Sequence, residues 1–93
     1  MIQKKIDLQA ELKQVTGFMD EILEDRTVPK NIRAAVERAK GKLAGEVDLD
    51  SNLSTAIYAL DDVSTDINMP NHTRTSIWEI VSELERVKEL VKK

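Results

Sequence analysis

Residues 25–33 read DRTVPKNIR, and residues 66–74 read DINMPNHTR. Three pairs of identical residues stand 41 positions apart in these segments: Asp25 and Asp66, Pro29 and Pro70, and Arg33 and Arg74. Proline suits the first position of a helix, and it pushes the residue before it out of the helical conformation. Each segment is therefore predicted to form a turn between two helices, with the proline opening the second helix.

Apolar residues recur in steps of three and four on either side of both turns, which is the spacing of one helix face. The pattern predicts four helices: from about Ile2 to about Glu24, from about Pro29 to Ala44, from about Ser51 to Asp66, and from Pro70 or Asn71 to the C-terminal lysines. Gly45 is predicted to cap the second helix, and Asp48 or Asp50 to cap the third. Since the connections are short, the predicted fold class is all-α, a four-helix up-down bundle.

The offset of 41 positions also preserves apolar character through both predicted helix pairs. We interpret the chain as a duplicated helix hairpin, with repeat 1 at about 8–45 and repeat 2 at about 49–86, inside a single helical domain of residues 1–93. A helix pair of ~40 residues is similar to a HEAT repeat, although HEAT solenoids use three or more units. Two such pairs are expected to close on each other or to stack through a second chain.

Four segments resemble the sequences of a small archaeal family of uncharacterised proteins. They are residues 28–35 (VPKNIRAA), 59–62 (ALDD), 69–74 (MPNHTR) and 77–85 (IWEIVSELE). The resemblance extends over nearly the whole chain, and it implies an archaeal, cytoplasmic, all-helical protein. It implies no activity, cofactor or partner.

Composition narrows the function classes. The chain has 93 residues, of which 41% are apolar and 33% are charged, so one folded core with a solvated surface is expected. A net charge of −3 disfavours binding to nucleic acid or to an anionic membrane. The chain lacks cysteine, and it has no apolar run of ~18 residues that would span a membrane. The absence of such a run and of a basic-plus-apolar leader predicts a cytoplasmic protein.

Acidic residues gather where the first and third helices are predicted to end. They are Asp20, Glu21, Glu24 and Asp25 in the first case, and Asp61, Asp62 and Asp66 in the second. Carboxylates of this kind suit a divalent metal, so a small metal-dependent protein or enzyme is the alternative prediction. The Glu-x-x-His pairs of di-metal carboxylate bundles are absent, and His72 is the only histidine. We therefore predict that the protein is not an enzyme and that it uses no cofactor and no metal.

The aspartates and arginines of the two turns are each predicted to lie at the helix end where the helix dipole disfavours their charge. Asp25 and Asp66 lie near helix C-termini, while Arg33 and Arg74 lie near helix N-termini. Pairing a carboxylate with a guanidinium would neutralise both charges. The sequence thus predicts two structural ion pairs, Asp25 with Arg33 and Asp66 with Arg74.

Trp78 lies one position away from the apolar stripe of the fourth helix. A tryptophan there either packs at the edge of the core or anchors a partner chain, and the sequence leaves both alternatives open. Ile2 and Ile6 are predicted to belong to the same exposed apolar strip or to another one. The leading hypothesis is a non-catalytic protein–protein interaction or scaffold module, whose partner is another protein or a second copy in a dimer.

Overall fold

The computed structural model describes residues 8–44 and 48–92, and it contains four α-helices in these ranges. They are α1 (Leu8–Glu24), α2 (Lys30–Ala44), α3 (Leu49–Val63) and α4 (Asn71–Lys92). The described ranges contain no strand, which confirms the predicted all-α class. None of these helices is long and apolar enough to cross a membrane. Ile2, Ile6 and Gly45, and with them the predicted start of the first helix, lie outside the described residues.

The helices form a closed bundle, since each packs against its neighbours in the chain and α4 also packs against α1. One apolar stripe from each helix faces the centre, as the periodicity predicted. The buried members are Leu12, Val15, Met19 and Ile22 of α1; Ile32, Ala35, Val36, Ala39 and Leu43 of α2; Leu53, Ala56 and Leu60 of α3; and Ile77, Ile80, Val81, Leu84 and Val87 of α4. Burying one such Val, Leu or Ile side chain contributes ~1.5–3 kcal/mol, so this core holds the helices together.

The boundaries of α3 differ from the predicted ones. The helix begins two residues earlier, after Asp48, which adopts a left-handed conformation (φ 56°, ψ 52°) and makes no side-chain capping hydrogen bond. The prediction of an aspartate side-chain cap is therefore wrong. At the other end, the Ser64 N–H donates to the carbonyls of Leu60 (3.1 Å) and Asp61 (3.2 Å). This shared bond tightens the last turn, and the chain leaves the helix before it reaches Asp66.

The α1–α2 and α3–α4 turns make the same backbone hydrogen bonds at an offset of 41 positions. The N–H of Val28 donates to the carbonyl of Asp25 (3.2 Å), as that of Met69 does to Asp66 (3.1 Å). The N–H of Arg33 donates to the carbonyl of Pro29 (3.0 Å), as that of Arg74 does to Pro70 (3.0 Å). The side chains of Val28 and Met69 are buried and anchor their turns in the core. The correspondence holds for the turns. The duplication of the whole hairpin and its likeness to HEAT repeats stay predictions.

Candidate interaction surface

The carboxylate of Asp25 joins its own turn to the opposite hairpin. Its Oδ1 accepts hydrogen bonds from the Thr27 N–H (2.9 Å) and the Thr27 hydroxyl (2.6 Å), while its Oδ2 lies 2.8 Å from Nε2 of His72. The Thr27 hydroxyl, followed by His72, lowers the pKa of Asp25 from 3.8 to about 2. Because His72 lies in the first turn of α4, this contact ties the end of α1 to the start of α4.

Asp66 makes the equivalent contacts in the opposite direction. Its Oδ1 accepts from the Asn68 N–H (2.8 Å), and its Oδ2 accepts from the side-chain amide of Asn31 (2.7 Å). The Asn31 amide, followed by the Asn68 N–H, lowers the pKa of Asp66, and the charge of Arg74 adds to the effect. Asn31 and His72 are 41 positions apart. The two hairpins therefore exchange equivalent side-chain contacts.

The two predicted ion pairs are wrong. Among the described residues, neither Asp25–Arg33 nor Asp66–Arg74 is an ion pair within 4 Å. The Arg74 guanidinium donates instead to the backbone carbonyls of Ser64 and Asp66, the latter at 2.9 Å. Arg33 Nε is buried without a hydrogen-bond partner. The physical reason is that the turn and the opposite hairpin already occupy the carboxylate oxygens.

The acidic ends of α1 and α3 do not form the cluster that a metal site requires. Within residues 8–44 and 48–92, no three His, Asp or Glu side chains are grouped so that they could hold a metal ion. Asp20 lies 2.5 Å from Nζ of Lys40 in an ion pair. The described residues thus give the metal-dependent alternative no site.

Trp78 lies on the outer surface of α4, with 57% of its area exposed, while its neighbour Ile77 is fully buried. It is therefore not part of the buried core. Trp78, Ser82, Glu85 and Glu89 follow one another in steps of four, three and four, so they share one helix face, and all four are exposed. The predicted contribution of Ile2 and Ile6 to an apolar strip cannot be placed on this face, because both lie outside the described residues.

An open groove of about 740 Å³ runs between α3 and α4, and we call it the α3–α4 groove. It is lined by Ser54, Ile57, Tyr58 and Asp61 of α3 and by Glu85, Arg86, Lys88 and Glu89 of α4. Tyr58 is 78% exposed and Ile57 is half-buried. Tyr58 was not among the candidate residues predicted from the sequence. Its exposure could have been predicted from its position in α3. Tyr58 lies two residues from the buried Ala56 and two from the buried Leu60, which places it on the side of the helix away from the core.

Only one of the charged residues that line the groove forms ion pairs with described residues. Arg86 lies 2.7 Å from Glu11 and 3.1 Å from Glu83, and these carboxylates, Glu83 foremost, raise the pKa of its guanidinium. The other charged residues that line the groove make no ion pair with a described residue; they are Asp61, Glu85, Lys88 and Glu89. Three carboxylates and one ammonium group of the groove thus have no ion pair among the described residues.

Comparison with known proteins places this fold in a family. The model of an uncharacterised protein family, UPF0147, matches residues 1–87. A UPF0147 protein of Methanocaldococcus jannaschii is 58% identical over 78 residues, which cover 83% of this chain and 84% of that protein. Another UPF0147 protein, from Archaeoglobus fulgidus, is 40% identical over 76 residues, which cover 82% of this chain and 87% of that protein.

Two crystal structures have the same fold. One is of a protein of unknown function, MMP1188, with a TM-score of 0.83 and 52% identity; the match covers 89% of this chain and 96% of that one. The other is of a UPF0147 protein from Thermoplasma acidophilum, with a TM-score of 0.82 and 36% identity; it covers 88% of this chain and 99% of that one.

Proposed function

The chain belongs to the UPF0147 family, and we propose that it acts as a non-catalytic protein–protein interaction or scaffold module. The observation that carries the proposal is the exposure of Trp78, at 57%, on α4. Tryptophan is enriched among the residues that dominate binding energy, because one side chain buries a large area at little entropic cost. The one tryptophan of this chain is thus available as an anchor for another protein.

Two further observations support the proposal. All three aromatic side chains are exposed, and two of them, Trp78 on α4 and Tyr58 on α3, offer a polar group as well as an apolar ring. The only histidine, His72, contacts Asp25 and links the two hairpins, which favours a structural role for it over a catalytic one.

The partner that we propose is a protein, with a dimer of this chain as the simplest form of self-association. The net charge of −3 favours a protein over nucleic acid or an anionic membrane. A cytoplasmic location, and the absence of a cofactor, belong to the same proposal.

The test compares two alanine variants at equivalent positions. Trp78→Ala removes the proposed anchor, and Glu37→Ala changes the exposed residue 41 positions earlier, on α2. Each tagged protein is expressed at native level in its host, purified by affinity, and measured by light scattering. We expect the wild type and Glu37→Ala to retain the same partner or oligomer and Trp78→Ala to lose it. A Trp78→Ala protein that keeps every partner and the same mass contradicts the proposal.

A further inference from the structure

We infer that the α3–α4 groove binds a basic amphipathic helix of a partner protein. The inference rests on the proposed function, because it names the kind of partner and the place where that partner binds. It depends on three features of the groove: its charge, its apolar surface and its position between two helices.

The unengaged charges of the groove are complementary to a basic partner. Asp61 lies on the α3 side, whereas Glu85 and Glu89 lie one helical turn apart on the α4 side. Among the described residues that line the groove, Lys88 is the only basic one without an ion pair, because Arg86 is engaged by Glu11 and Glu83. A helix with lysines or arginines along both edges of its apolar face would meet a carboxylate on each side.

The apolar part of the groove fits the other face of such a helix. Ile57 and Tyr58 present a partly buried aliphatic side chain and an exposed aromatic ring. Trp78 lies on the same face of α4 as Glu85 and Glu89, and it extends this surface along the helix. Two adjacent helices offer a long shallow depression in which a third helix packs through residues spaced by three and four positions.

A second copy bound groove to groove fits the charges less well. A two-fold axis through the groove would bring together two copies of a surface that has three unpaired carboxylates, Asp61, Glu85 and Glu89, and one unpaired ammonium group. Like charges that face each other across an interface are repulsive. The charges therefore favour a different, basic chain.

The experiment uses the full-length protein and two synthetic fluorescent peptides. One is an amphipathic helix of about four turns with leucines on one face and lysines at the edges, and the other carries glutamates in place of the lysines. Fluorescence anisotropy measures binding to the wild type and to two double variants. Glu85→Lys with Glu89→Lys alters the groove, while Glu21→Lys with Glu24→Lys makes the same change of charge at exposed positions of α1.

We expect saturable binding of the lysine peptide that weakens as salt is added, and no comparable binding of the glutamate peptide. The groove variant is expected to bind the lysine peptide at least roughly tenfold more weakly, and the α1 variant to bind it like the wild type. In amide NMR spectra, the shifts caused by the peptide are expected to concentrate in residues 54–61 and 85–89. Circular dichroism checks that each variant is folded.

The inference is overturned if the groove variant binds as tightly as the wild type, if both double variants weaken binding equally, or if the glutamate peptide binds equally well. A dimer that the groove variant abolishes, without binding of the lysine peptide, would make a second copy the occupant and also overturn it. If the peptide fails while Trp78→Ala still loses its partner, the groove inference falls and the proposed function stands. If the peptide binds as expected but Trp78→Ala keeps every partner, the proposed anchor falls instead.

Discussion

Asp25 links the two hairpins through one side chain, because one of its oxygens bonds to its own turn and the other to His72. These contacts hold the pKa of Asp25 at about 2, below the ordinary 3.8. The unfolded chain therefore takes up a proton before the folded one. The stabilising contribution of Asp25 is complete above pH 3.8 and is lost as the pH falls towards 2.

Asp25→Asn is expected to be less stable at neutral pH and to lose less stability than the wild type as the pH falls through this acid range. Urea denaturation at several pH values measures both effects, and a variant with the acid profile of the wild type would show that Asp25 is not the group responsible.

Thr73 is fully buried, and its hydroxyl has no hydrogen-bond partner. The residue 41 positions earlier is Ile32, also fully buried. Valine has nearly the shape of threonine without the hydroxyl, so Thr73→Val removes an unsatisfied polar group from the core. We expect the free energy of unfolding to rise by ~1 kcal/mol. Thr75→Val, at an exposed position of the same helix, is the control and is expected to change little. A loss of stability in Thr73→Val would indicate that the hydroxyl does bond in the folded protein.

The turn that follows α3 is held by hydrogen bonds from a side chain of α4. The Arg74 guanidinium bonds to the Ser64 and Asp66 carbonyls, whereas Arg33 Nε, in the equivalent residue of α2, is buried without a partner. Methionine retains much of the aliphatic length and removes the charge. Arg74→Met is expected to cost roughly 1–3 kcal/mol, and Arg33→Met to cost much less or to stabilise. Equal losses in chemical denaturation would mean that both arginines hold their turns in the same way.

Helices α1 and α2 each contain an interior glycine. A Cβ at Gly17 or at Gly41 would have no atom within 4 Å apart from its own helix and chain neighbours, so the bundle has room for it. Since glycine is a poor helix former, Gly17→Ala and Gly41→Ala are each expected to raise the free energy of unfolding by about 1 kcal/mol. Thermal denaturation of the single variants and of the double variant tests this, and the two gains should add because neither new Cβ would contact a neighbouring side chain. A destabilised Gly17→Ala would show that another helix passes closer than the structure indicates.

The overall fold was predictable because the sequence features that determine it are local. The two prolines place the turns, and the three-and-four spacing assigns the core stripe of each helix without knowledge of the neighbours. The partner of Asp25 in the opposite hairpin was not predictable, since His72 lies 47 positions along the chain and meets Asp25 only once the hairpins have packed. For the same reason, the sequence did not reveal the α3–α4 groove. The sequence alone leaves two environments open for Trp78, because a residue one position from a stripe lies ~100° around the helix, at the border between core and solvent.

Trp78 is exposed in the isolated chain, and the proposed function requires that another chain cover it in the cell. Photo-crosslinking in the host cell tests whether this happens. Benzoylphenylalanine in place of Trp78 keeps an aromatic side chain there, and the same substitution at Glu37 probes the equivalent exposed position on α2. We expect one dominant crosslinked protein from position 78 that is absent from position 37. No adduct at position 78, or the same adducts at both positions, would contradict it.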